Sequence, residues 1–147
     1  MKLEIGTNFK FSKLAKRIDK LTNRHIERTK THIVNTAKRT IDMKKLKSLS
    51  QRTIDNRKKG RGWGGVKVAP TSDDTPLKHT GRLYRSLKST KEGIEGMDYG
   101  LRHQFGKGVP ERKFLPIDGD KQTPEVVKFQ KKLKQRLIKD MNKAMKK

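Results

Sequence analysis

The constraint that most limits this chain is its charge. Thirty-nine Lys and Arg face only 15 Asp and Glu in 147 residues, a formal net charge of +24. Self-repulsion on that scale opposes compaction. Thirty-two residues are Leu, Ile, Val or Phe. That fraction lies just above the ~20 % below which a highly charged chain stays disordered. A fold is therefore available, but its core must be small. A large part of the surface must meet something anionic, a sister subunit, or both.

The charge is unevenly placed. Residues 1–70 hold 20 Lys and Arg against 5 acids. Residues 71–121 hold 10 against 8, and residues 122–147 hold 9 against 2. The middle is nearly neutral, and the basic surface belongs to the flanks. The length suits a single domain over 1–147. Within it we read a basic helical arm (1–45), a short helix and Gly-rich loop (46–76), an α+β core (77–121) and a basic C-terminal helix (122–147).

Both flanks carry helical periodicity. Leu14, Ile18, Leu21, Ile26, Ile33, Ala37 and Ile41 form a stripe from Ser12, a candidate N-cap, to about Met43. The five-residue step from Leu21 to Ile26 breaks phase and predicts a kink or a change of packing partner. Thr123 can cap a second helix, with Pro124 at its first position. There Val126, Phe129, Leu133, Leu137, Met141 and Ala144 share one face, and lysines including Lys131, Lys132 and Lys134 cover the rest. Between the flanks, Ser50 can cap "QRTIDNRKK" and Gly60 can stop it. "GRGWGG" is too glycine-rich for a regular element, and "VKVAP" reads as an edge strand or an extended linker.

In the middle, Thr80 is a candidate N-cap, with Leu83 and Leu87 on one helical face. "STKEGIEGMDYG" reads as a hairpin turning near Glu92–Gly93. Asp98 can cap a short helix, "YGLRHQF", that Gly106 ends. "GKGVPERKFLPID" follows as a loop and an extended piece at an edge, because of Pro110 and Pro116. The expected core is Leu14, Ile18, Leu21, Leu83, Leu87, Phe105, Phe114, Leu115, Phe129, Leu133 and Leu137.

These middle residues resemble a family. "PLKHTGRLYRSL", "YGLRHQFG" and "VPERKFLP" are similar, in order and spacing, to segments of the tail-completion, or virion morphogenesis, proteins of tailed bacteriophages. The resemblance rests on Leu77, Thr80, Gly81, Leu83 and Ser86; on Tyr99, His103, Gln104, Phe105 and Gly106; and on Pro110, Arg112, Phe114 and Leu115. It extends upstream to "SLSQRTIDNRKKG" and covers roughly residues 46–117. Gly100 stands where the family commonly has Ala. The resemblance implies an α+β fold: a small antiparallel sheet packed by a long N-terminal helix and a C-terminal helix, with short helices between. It also implies a non-enzymatic virion subunit. Its partners would be further copies in a ring, six by family analogy, and other neck, connector and tail proteins. Packaged DNA in the channel is a further expected contact. Tail-terminator and head–tail adaptor roles lie in the same neck.

Reactive chemistry finds little footing in the residues. A general base needs an orienting carboxylate, and His103 has only Asp98 and Glu111 nearby without paired spacing. The better reading is that His103 and Gln104 hydrogen-bond nearby backbone. His25 and His32 are seven apart, too far for the usual i,i+4 metal pair, and His79 and His103 lack local partner ligands. With no Cys, thiolate sites are excluded. No phosphate-cradling motif is present. No catalytic group, cofactor, metal or small-molecule substrate is expected. No secretory leader and no apolar run of membrane-spanning length is legible. The expected setting is a virion, assembled in a bacterial cytoplasm, with no membrane partner.

Phe114 is expected in the core. Arg112 is expected to pair with Asp98 or Asp118, or to reach a neighbouring subunit. Trp63 is a candidate interface anchor, the alternative being an intrachain cover over the sheet. Lys58, Lys59, Arg61, Lys131, Lys132 and Lys134 are candidates to face a partner or DNA. From another class, a general nucleic-acid-binding protein would use the same lysines for salt-dependent phosphate contact.

Overall fold

A computed structural model describes residues 11–43, 46–62, 65–118 and 121–145. The architecture is α+β: among the described residues, two long helices pack together, with three short helices and two small antiparallel hairpins. Helix α1 (Phe11–Asp42) is the longest element, and α5 (Pro124–Met145) packs along it. The pairing is antiparallel. Arg39 lies 3.9 Å from Glu125, and His25 lies 3.9 Å from Asp140. Between these pairs His32 stacks on Phe129, with ring centroids 3.7 Å apart.

Helical structure in α1 runs unbroken through the phase step at Leu21–Ile26. The step appears instead as a change in burial. Leu14, Ile18 and Leu21 are half-buried, whereas Val34, Ala37 and Ile41 are fully inside. Because α1 already includes Phe11, Ser12 lies inside the helix rather than capping it. Pro124 does open α5, where its missing N–H costs nothing. Thr123 precedes it and its carbonyl accepts from Val127, but its buried hydroxyl makes no cap bond.

Helix α2 (Gln51–Lys58) begins as expected, with Ser50 Oγ accepting the Thr53 N–H at 3.4 Å. Gly60 follows it with φ +67°, and a Cβ there would sit 2.6 Å from the Val68 carbonyl oxygen. "VKVAP" forms no strand, and within it only Lys67 pairs, in an isolated antiparallel bridge with Arg61. Helix α3 (Arg82–Ser86) starts one residue later than the Thr80 reading. Gly81, left-handed at φ +67°, takes the cap position, and the Thr80 hydroxyl accepts from Arg82 N–H at 3.4 Å.

Strands β1 (Lys88–Ser89) and β2 (Ile94–Glu95) form the expected hairpin, closed by Thr90 N–H to the Gly93 carbonyl at 2.8 Å. Lys30 of α1 ties its turn down, donating to the Thr90 and Lys91 carbonyls. Helix α4 (Asp98–Phe105) follows. Asp98 is its first residue rather than its cap, a place held by Met97. Gly106 ends it at φ +67°. The segment after Pro116 holds a second hairpin, β3 (Ile117–Asp118) and β4 (Lys121–Gln122), where the sequence suggested only an extended piece.

The core is small. Val34, Ala37, Ile41, Leu46, Leu83, Leu87 and Phe114 form its main cluster, and Val126 and Leu133 of α5 are buried as well. Of the expected core, Leu83, Leu87, Phe114 and Leu133 are buried. Leu14, Ile18, Leu21, Leu115, Phe129 and Leu137 are half-buried. Phe105 is 47 % exposed. The reason is the face that α4 turns inward: Gly100 and Gln104, four residues apart, are its buried positions, and Phe105 lies about 100° further round the helix.

Candidate functional site

The motif-bearing residues converge on one buried polar arrangement. Gln104 is fully buried at the inner face of α4. Its Oε1 accepts two successive backbone N–H groups, Phe114 at 3.0 Å and Leu115 at 2.9 Å. Its Nε2 donates to the Leu115 carbonyl at 3.4 Å. One side chain thus stands in for a neighbouring strand along the extended segment. Groups that would otherwise be buried without partners are satisfied. The backbone adds a further tie, Arg112 N–H to the His103 carbonyl at 2.7 Å.

Arg112 reaches the other way. Its Nε donates to the Lys47 carbonyl at 3.0 Å and its guanidinium nitrogens donate to Ser48 and Pro110 at 3.3 and 3.4 Å. It therefore binds carbonyls of the α1–α2 connection, and among the described residues it makes no ion pair with the expected Asp98. The side chain of Asp118 lies outside the described residues. Burial pushes its pKa down from the usual guanidinium value, but an arginine so placed keeps its charge. Arg57 behaves alike, donating to the Asp73 and Thr75 carbonyls at 3.0 and 2.9 Å. No local sequence signal marks Arg57, because its partners lie in a loop 16 and 18 residues away.

His103 lies beside this arrangement, half-buried, with Nδ1 3.3 Å from the Pro110 carbonyl. Burial lowers its pKa, the Pro110 contact opposes that, and the Arg112 charge lowers it further. Among the described residues no carboxylate is hydrogen-bonded to its ring. Ser86 links α3 to α4: its hydroxyl donates to the Leu83 carbonyl at 2.8 Å and accepts from Met97 N–H at 3.1 Å. Gly100 lets α4 approach closely. A Cβ there would lie 2.8 Å from Leu83 Cδ1 and 3.3 Å from Phe114 Cζ. Tyr99 is partly exposed, with Leu83 backbone near its hydroxyl. Its pKa is raised by burial, against that hydrogen bond.

A second polar knot joins α1 to the start of the motif region. Asp42 accepts from Lys78 at 2.5 Å and from the Tyr84 hydroxyl at 2.8 Å. Those two hydrogen bonds hold its pKa below the usual carboxylate value. Lys78 and Lys38 also sit over the Tyr84 ring, 5.1 and 5.4 Å from its centroid.

Outside these anchors two kinds of surface remain. Leu101 and Phe105 form an exposed apolar ridge on α4. Lys58, Lys59, Arg61, Lys131, Lys132 and Lys134 are all exposed. Trp63 lies outside the described residues. Among the described residues no group of His, Asp and Glu could hold a metal ion, and no helix is long and apolar enough to cross a membrane. No protein-family model, curated protein or solved structure matches the chain.

Proposed function

We propose that this chain is a structural subunit of a tailed-phage virion, a tail-completion or neck protein that works as a ring between head and tail. The observation carrying this reading is the Gln104–Arg112 arrangement. The residues that resemble the family motifs are engaged in fixing backbone to backbone, as a shape-determining part requires. Gln104 holds Phe114 and Leu115, and Arg112 holds Lys47 and Ser48. His103 faces a carbonyl rather than an orienting acid, which favours a structural over a catalytic role. The lysine-covered faces of α1 and α5 then serve an acidic connector or a DNA channel, where a positive lining is favourable.

Purified full-length chain examined by native mass spectrometry and negative-stain microscopy tests this. The expected result is a closed ring of defined copy number. A monomer that binds duplex DNA with a steep salt dependence would sink the neck reading in favour of a general nucleic-acid-binding protein.

A further inference from the structure

Among the described residues, two exposed apolar features lie on different elements, one a trough and the other a ridge. One is a groove of about 340 Å³ between α1 and α5. Its walls are Thr22, His25, Ile26 and Thr29 on one helix and Leu133 and Leu137, among others, on the other. The α1 positions follow a single helical ridge, i, i+3, i+4 and i+7. The groove is therefore a trough between two antiparallel helices, about 10 Å long over Thr22–Thr29. Ile26 stands 49 % exposed on its wall. The other feature is the α4 ridge, Leu101 and Phe105, one helical turn apart and 55 % and 47 % exposed.

We infer that the α4 ridge of one copy seats in the α1–α5 groove of the next. This rests on the ring reading above and names its contact. A short amphipathic helix laid in an apolar trough is a recurrent recognition mode. Charge selects the occupant. Copies carrying +24 each repel where two lysine faces meet, so a contact between copies is favoured where one of the two surfaces is nearly neutral and the other basic. The α4 segment lies in that nearly neutral middle third. Asp98 flanks the ridge on α4, and Lys134 lines the groove. Both are exposed, and among the described residues neither has an ion-pair partner. Ridge and groove are different patches of one chain, so the contact is head-to-tail. Repeated with the right rotation, such a contact closes a ring.

The absence of Cys makes the contact directly testable. Phe105→Cys and Ile26→Cys are prepared as separate full-length variants, mixed, and exposed to mild oxidation. A disulfide forms only when the Cα atoms come within about 7 Å. The expected product is the mixed disulfide, several-fold in excess of either homodimer. Phe105→Glu, at an exposed position, keeps the wild-type melting temperature and loses the oligomer. Suppose instead that wild type forms a ring, but the mixed product is no more abundant than with a Lys132→Cys control. The contact proposed here is then wrong and the ring reading survives. A wild-type chain that stays monomeric at every concentration overturns both.

Discussion

The amide oxygen of Gln104 accepts the backbone N–H of Phe114 at 3.0 Å, in a place where neither group reaches water. The Leu115 N–H shares the same oxygen at 2.9 Å. Replacing Gln104 by Leu keeps much of the volume but leaves two N–H groups without their acceptor. Each unsatisfied group costs about 1–3 kcal/mol. We expect Gln104→Leu to lose about 2–5 kcal/mol, read as a lower urea midpoint at unchanged slope. A loss below about 1 kcal/mol would mean that water or a relaxed segment replaces the clamp.

Gly100 sets helix propensity against packing. Ala is the better helix former by about 1 kcal/mol, so propensity alone predicts that Gly100→Ala stabilises. The added Cβ would fall 2.8 Å from Leu83 Cδ1. Leu83 is fully buried and has little room to yield, and overpacking costs about 1–3 kcal/mol. Net destabilisation is expected, with Gly100→Val worse, both measured by thermal denaturation. A raised melting temperature for the alanine variant would show that Leu83 gives way.

Arg112 tethers the α1–α2 connection through a planar fork that lysine cannot reproduce. Arg112→Lys should therefore loosen Leu46–Ser50 even if the global fold persists. Hydrogen exchange provides the local readout. The amides of residues 46–50 are expected to exchange at least several-fold faster, while those of α5 hold their wild-type rates.

Asp42 gives the fold an acid-sensitive tie. Its pKa is depressed by the hydrogen bonds from Lys78 and Tyr84. The stability it contributes is therefore present above the ordinary value of 3.8 and is lost as pH falls through its lower folded value. The gap in melting temperature between wild type and Asp42→Asn is expected to be open at about pH 6 and to close in strong acid. Salt should narrow it too, because the pair is partly exposed. A gap constant down to about pH 2.5 would remove Asp42 from the account.

Local chemistry made much of this legible in advance. Periodicity placed α1 and α5, Ser50 and Gly60 bounded α2, and Gly106 stopped α4. The backbone-bonding role of His103 and Gln104 was also readable, because a polar pair on a short capped helix has few other uses. What escaped was long-range or depended on one helical step. Arg112 meets Lys47 across 65 residues of sequence, and nothing in either neighbourhood announces the other. Phe105 reads as core by residue type. It faces outward because Gly100 and Gln104, a glycine and a polar amide, define the inner face. The β3–β4 hairpin has two-residue strands too short to alternate visibly. Thr80 lost the cap position to Gly81, whose left-handed backbone no side-chain preference at Thr80 could foretell.

The antiparallel pairing of α1 with α5 also has a meaning in time. During synthesis α1 leaves the ribosome long before α5 exists, so Phe129 and Leu133 are missing when His32 and its neighbours first meet water. Nor are the carbonyls of Lys47 and Ser48 bound until Arg112 emerges. A nascent chain of this kind holds an exposed basic helix for most of its translation and can close its fold only near the end. Its apolar seam is then shielded meanwhile by little except the repulsion of its own lysines, which makes the charge a safeguard against premature association as well as a surface for partners.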